Sequence, residues 1–291
     1  SGVLKTTLKP TSRYIPSGEI ELHALDWGGD GPPLITVHGG RRTANSWNAV
    51  ARRLHHRFRV ISVDIRGHGN SGATDFGNDS IGRMKDLLAI TEYLNITEHY
   101  LMVHSLGTLP GARYAAQHTE RVKGFFMIEP IPEGFKHWVR VGTFDEDGTP
   151  TGQKRHNGWA SLAELEERLR RNKQTRNWTE EVLQDVLLHE TELLEDGTVK
   201  VKWDPSVYNI EEMKVDHFAL IEDAESITCP TLLMVIEKNP LIESHFNDIA
   251  LKLPNASYVI ANGLGHAVYM EAPELIADYA EEFFLYGRLP N

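Results

Sequence analysis

Through its first half the chain alternates short apolar runs with stretches of helical length. EIELHALDW, PLITVHGG and FRVISVDIRG read as strands, SIGRMKDLLAITEYLNI as a helix, HYLMVHS as a strand, LGTLPGARYAAQH as a helix and VKGFFMIEP as a further strand. The inner runs are apolar at consecutive positions, which is how strands buried on both faces read, and their alternation with helices predicts a parallel sheet covered on both sides. From about residue 133 to residue 216 the rhythm is lost. That stretch is rich in charge and tryptophan, reads as helices in SLAELEERLRRN and TEEVLQDVLLHETELL broken by EDGTVKVKWDP, and offers no run suited to a buried parallel strand. The alternation returns with PTLLMVIEKN, SHFNDIALKLP, ASYVIANG and APELIADYAEEFFLYG. The expected organisation is an α/β core made of residues 1–132 and 217–291, with a helical cap inserted at 133–216.

Composition narrows the function classes. The 291 residues are 41% hydrophobic and 24% charged, as in a globular protein with a sizeable core. The longest apolar runs, such as TLLMVI, are of strand length, and SGVLKTTLKP lacks the apolar core of a secretory signal, so neither membrane nor export is expected. A net charge of −11 without a basic run argues against nucleic acid. Cys229 is the single cysteine, which fits a reducing cytoplasm, and its place before a strand suggests packing. HETEL begins like a zinc-binding helix but has Leu193 where the second histidine would stand, so no metal is expected. The charges of ELEERLRRN lie at helical spacing and read as a solvated, salt-bridged face.

The chemistry concentrates in three places. Ser105, in VHSLG, follows a short apolar strand and precedes a helix, with Gly107 allowing close passage of backbone. A strand-to-helix turn of this kind exposes a hydroxyl at the sheet's carboxyl edge and aims the next N–H groups at a developing oxyanion; the plain alternative is a serine that caps the helix. Upstream, His38-Gly39-Gly40 ends a strand, and the N–H of Gly40 could join that of Leu106 in an oxyanion hole. Asp64-Ile65-Arg66-Gly67-His68-Gly69 ends the next strand in a glycine turn whose charges suit loop tethering. Late in the chain, Asn262-Gly263-Leu264-Gly265-His266 can bring an imidazole over the same edge. Serine needs such a base, because its hydroxyl is a poor nucleophile at neutral pH. His38 and His104 flank the site and are expected to pack or to orient loops.

With these residues in order, the chain resembles the α/β-hydrolase superfamily over essentially its whole length. The resemblance implies an eight-stranded, mostly parallel sheet, a helical cap after the sixth strand, no cofactor, and a serine, acid, histidine order along the chain. Two positions depart from the usual pattern. Val103 stands where a glycine is expected, and the acid position after the seventh strand is occupied by Asn239, with Ile236 at the glycine that normally precedes it. An amide carries no charge with which to stabilise an imidazolium. Some haloalkane dehalogenases and lactone hydrolases of the superfamily carry the acid after the sixth strand, and the dehalogenases tolerate a branched residue two before the nucleophile. Glu129 in FFMIEPIP is placed like that acid, with Glu237, Glu243 and Asp248 as the remaining candidates. A dehalogenase or an epoxide hydrolase would need a carboxylate at position 105, so neither is expected.

The resemblance thus implies a serine hydrolase of an ester or lactone, in which Ser105 attacks, His266 relays the proton, Glu129 steadies the imidazolium and Gly40 and Leu106 bind the oxyanion. The cap aromatics Trp138, Trp159, Trp178, Trp203 and Tyr208, with Phe218 beside the cap, are candidates for a hydrophobic or aromatic substrate pocket. Carbon–carbon bond hydrolysis of ring-fission diketones by the same machinery is the second reading. A weakly catalytic ligand receptor is the third, kept open by Asn239. An apolar cap surface is compatible with a homodimer.

Overall fold

The computed structural model describes residues 8–131, 139, 146, 157–208, 212, 219–239 and 246–291. Eight strands form one sheet in the order β1 (Thr11–Ser17), β2 (Ile20–Asp26), β4 (Arg59–Val63), β3 (Pro33–Val37), β5 (His99–His104), β6 (Val122–Ile128), β10 (Thr231–Ile236), β11 (Ala256–Ala261). Strand β2 pairs antiparallel with both β1 and β4, and every pairing from β4 through β3, β5, β6 and β10 to β11 is parallel. This is the parallel sheet expected from the alternation, with the eight strands that the resemblance to the α/β-hydrolase superfamily implied.

Side chains on the inner strands alternate between two cores, as the two-residue period of a strand requires. On one face Ile35, Val37, Leu101, Val103, Phe125 and Met127 meet helices α2 (Ser80–Tyr93) and α3 (Thr108–Gln117). On the other, Leu34, Tyr100, Met102, Phe126 and Ile128 meet α1 (Asn48–Leu54) and the C-terminal helix (Pro273–Tyr286). The last helix stops where Gly287 takes the left-handed conformation, with φ of 64°. Cys229 packs against the first core just before β10, and burial pushes its thiol up to about 11, as a packing role implies.

The chain passes from β3 outward to β4 and then returns to the other side of β3 to form β5. The carboxyl ends of β3 and β5 therefore flank a topological switch point, the place where open α/β sheets form their sites.

The described part of the insertion, 157–208, departs from the expected helical cap. It holds helices α4 (Leu162–Arg171) and α5 (Glu180–His189), and also a three-stranded antiparallel sheet in the order β7 (Gly158–Trp159), β9 (Val199–Val201), β8 (Thr191–Leu193). The segment EDGTVKVKWDP, read as a break between helices, supplies a hairpin. Gly197 turns it at φ of 84°, and Val199 and Val201 are buried while Lys200 between them is exposed. An Asp-Gly pair beside alternating Val and Lys is a hairpin signal. The small sheet is fastened to the core by backbone bonds from Gly69 N–H to the Lys202 carbonyl, 2.8 Å, and from Asp204 N–H to the Gly67 carbonyl, 2.7 Å. Arg52 forks onto both carboxylate oxygens of Asp185 at 2.8 and 2.7 Å. No helix among the described residues is long and apolar enough to cross a membrane.

Candidate active site

Ser105 sits directly after β5 with φ of 49°, a left-handed conformation that costs a non-glycine residue about 1–2 kcal/mol. The turn sends the chain from strand into helix and lifts the hydroxyl off the sheet edge. It is clamped from below: Thr108 Oγ1–H donates to the Ser105 carbonyl at 2.6 Å, and Ile131 N–H donates to Thr108 Oγ1 at 3.2 Å. Glycines bring the exit of β3 against the same turn. A Cβ on Gly107 would stand 2.6 Å from the His38 carbonyl oxygen, and one on Gly39 would stand 3.3 Å from Ser105 Cβ. Residues 38–40 and 105–107 are therefore in backbone contact, with Gly40 and Leu106 on the two facing segments.

Val103 is accommodated by the helix above it. A Cβ on Gly111 of α3 would meet Val103 Cγ1 at 2.7 Å, so a small residue on the helix, in place of one on the strand, lets the two elements approach. The departure at position 103 is a swap of bulk between neighbouring elements.

Ser105 Oγ–H donates to His266 Nε2 at 2.9 Å, and His266 Nδ1–H donates to Glu129 Oε1 at 3.1 Å. The tautomer follows from the partner, since an ionised carboxylate can only accept. Glu129 itself follows β6 in a left-handed conformation, φ 51°, with its N–H bonded to the Met234 carbonyl at 2.8 Å. Its side chain is 2% exposed, against 49% for that of His266, so a nearly buried carboxylate faces an imidazole open on its outer side. The second oxygen, Oε2, accepts from Ile236 N–H at 3.0 Å and from the Asn239 amide. Asn239, at the position where an acid is usual, thus donates to an acid that comes from the neighbouring strand. Of the other acid candidates, Glu237 and Asp248 are exposed, and Glu243 lies outside the described residues.

Two histidines hold the loops. His38 accepts from Ile65 N–H at Nε2, 3.0 Å, and donates from Nδ1 to the Gly39 carbonyl at 2.6 Å; burial pulls its pKa to about 4, so the ring is neutral. His104 donates from Nε2 to the His266 carbonyl at 2.8 Å, and burial, then the neighbouring His266, hold its pKa well below the ordinary value. Glu271 accepts from Gly265 N–H at 3.1 Å and steadies the loop that carries His266. Asp64 tethers three segments, taking His23 Nδ1 and Ala44 N–H at 2.7 Å each and Asn70 N–H at 3.0 Å.

The expected pocket aromatics divide. Trp138 and Phe218 lie outside the described residues. Trp159 and Trp178 are partly buried and pack against the second core, and the Arg42 guanidinium lies 5.0 Å from the Trp178 ring. Trp203 is buried, and its ring meets that of Tyr208 edge-on at 5.6 Å. Tyr208 binds loops: its hydroxyl accepts from Arg41 N–H at 2.7 Å and donates to His68 Nε2 at 2.7 Å. Sequence reasoning missed Thr108, Arg41 and the donor role of Asn239. An amide in place of an acid at the usual acid position held the only sign, and that for Asn239 alone.

A sequence profile described as the alpha/beta hydrolase family matches residues 34–279. The chain is similar to an N-formylmaleamate deformylase of Pseudomonas putida, 32% identical over 123 residues that make up 41% of this chain and 45% of that protein. It is similar also to an esterase of Mycobacterium tuberculosis, 29% identical over 141 residues, 48% of this chain and 46% of that one. The chain thus spans less than half the length of these curated relatives. Among solved structures it resembles E-2-(acetamidomethylene)succinate hydrolase with a TM-score of 0.77, covering 94% of this chain and 98% of that one at 20% identity, a likeness of fold.

Proposed function

The chain belongs to the alpha/beta hydrolase family, and from that premise we propose that it is a serine hydrolase cleaving a carboxylic ester or lactone through an acyl-enzyme, without a cofactor. The observation that carries the reading is the unbroken series Ser105–His266–Glu129, at 2.9 and 3.1 Å. His266 Nε2 takes the hydroxyl proton as Ser105 Oγ attacks the carbonyl carbon, and the N–H groups of Gly40 and Leu106 receive the charge on the former carbonyl oxygen. The imidazolium is stabilised across Nδ1 by Glu129, whose other oxygen is fixed by Ile236 and Asn239. Collapse expels the alkoxide, which takes the proton from Nε2. Water, deprotonated by the same nitrogen, then releases the acid and restores the serine.

The insertion at 133–216 acts in this reading as a cap over the site, with Trp138, Trp159, Trp178, Trp203, Tyr208 and Phe218 as candidates to contact a medium-sized, largely apolar substrate. The contact between Glu129 and His266 favours turnover over a receptor role, because the base has its charged partner. The test is a panel of aryl esters, lactones and a vinylogous diketone assayed with the unaltered protein and with Ser105→Ala. Ester or lactone turnover lost by about 10³-fold or more in the variant supports the reading. Turnover of the diketone alone moves the protein to carbon–carbon bond hydrolysis, and full activity in Ser105→Ala discards the nucleophile.

A further inference from the structure

Arg41 is out of place by the rules of its own backbone. It follows Gly40 with φ of 62°, where glycine or asparagine is at ease and an arginine bears strain. Its N–H is held by the Tyr208 hydroxyl at 2.7 Å, and its half-buried guanidinium lies 5.6 Å from the centre of the Trp203 ring. Beyond that ring contact, the guanidinium has no hydrogen bond and no carboxylate partner among the described residues. The contrast is with five other half-buried or buried arginines: Arg42 meets Glu190, Arg52 meets Asp185, Arg59 meets Asp26, Arg66 meets Asp86 and Arg113 meets Asp223. In a chain with a net charge of −11, carboxylates are not scarce.

A guanidinium stacked on an aromatic face spends its face and keeps the in-plane N–H groups along its edge, which match a carboxylate two to two. Arg41 also stands two residues beyond Gly39, against which Ser105 packs, and two residues of chain reach about 7 Å at most. The acidic protein as a whole repels anions, but beyond a Debye length of about 8 Å that field is screened and a local cation decides. We infer that Arg41 is a specificity-determining residue that receives a carboxylate carried by the substrate a few carbons from the scissile carbonyl, so that the preferred ester or lactone is an anion. The inference rests on the serine-hydrolase reading.

The test compares mono-4-nitrophenyl glutarate with 4-nitrophenyl methyl glutarate, which have the same chain and leaving group but differ in the charge of the far end. For the unaltered protein, kcat/KM for the free acid exceeds that for the methyl ester by about tenfold or more, and added salt narrows the gap through KM. In Arg41→Gln the ratio of the two falls by about 10- to 100-fold, the range for a lost charge-assisted contact, and Arg41→Lys keeps part of it. Labelling of the serine by a neutral fluorophosphonate is read alongside. A ratio of one or less in the unaltered protein, or a ratio that Arg41→Gln leaves alone, overturns the inference while labelling of Ser105 leaves the hydrolase reading standing. Absence of labelling overturns both. The ratio and its salt dependence in the unaltered protein decide the matter even if the variants fold poorly.

Discussion

Val103 on β5 and Gly111 on α3 share one space: the valine Cγ1 stands 2.7 Å from where a Cβ of residue 111 would be, and the valine is fully buried. The branched side chain cannot turn out of the way, since its χ1 is stiff and the core is close-packed. Gly111→Ala gains about 1 kcal/mol of helix propensity but overpacks the interface at a cost of about 1–3 kcal/mol. The expected net result is a loss of stability in urea unfolding. Val103→Gly alone leaves a cavity, and the double variant Val103→Gly with Gly111→Ala restores the more usual arrangement. A coupling of at least about 1 kcal/mol in the double-mutant cycle checks this.

Asn239 supports Glu129, so giving residue 239 a charge harms the site. In Asn239→Asp the amide donor to Glu129 Oε2 is replaced by a second carboxylate, and two carboxylates at hydrogen-bond distance share a proton. Ester turnover at neutral pH is expected to fall, with the acid limb of the pH–rate profile moved upward. Asn239→Ala removes one hydrogen bond only and falls less. An Asn239→Asp variant faster than the unaltered protein would show that the acid belongs after β10.

Acid stability follows from the buried histidines. His38 and His99 are each held at about 4, and His68 and His104 lie well below the ordinary 6.5, in every case with burial as the largest cause. Between about pH 6.5 and 4 the unfolded chain takes up protons that the folded chain refuses, so the stability these groups supply is present above pH 6.5 and is lost as pH falls through that window. Glu190, Asp223 and Glu271, raised by burial, act in the opposite sense, their contributions being lost as pH rises through their folded pKa values. Urea midpoints measured from pH 7 to pH 4 are expected to fall steadily. A flat profile would mean that these rings are protonated in the folded protein.

The clamp below Ser105 is also open to measurement. Thr108→Val keeps the shape but leaves the Ser105 carbonyl and the Ile131 N–H without the hydroxyl that joins them. The Ser105 carbonyl keeps the Thr108 backbone N–H, but the buried Ile131 N–H is stranded, at a cost of about 1–3 kcal/mol. Unfolding experiments should show a loss of that size, and ester turnover should fall as the strained turn relaxes.

The sheet was legible because consecutive apolar positions and helical periods are local signals: PLITV, YLMV and FFMI became β3, β5 and β6 where the pattern placed them. Ser105 and His266 were legible because glycines and short strands must surround a residue held at a sheet edge. The hairpin at 191–201 was passed over because its strands are only three residues each, too short for an alternation to outweigh neighbouring helices. The support of Glu129 by Asn239 was hidden for a different reason, since 110 residues separate the pair and only the β6–β10 register brings them together. Arg41 carried no signal at all, as nothing in a sequence marks an arginine whose φ is positive.

The central claim is that Ser105 is a nucleophile activated through His266 by Glu129. Its most direct test is the rate at which a fluorophosphonate forms an adduct on Ser105, followed by intact-protein and peptide mass spectrometry. The account predicts one adduct per chain on Ser105, none in Ser105→Ala, and a rate lower by about 10³- to 10⁴-fold in Glu129→Gln, where the charge facing the imidazolium is gone. An adduct elsewhere, or a rate in Glu129→Gln equal to that of the unaltered protein, would contradict it.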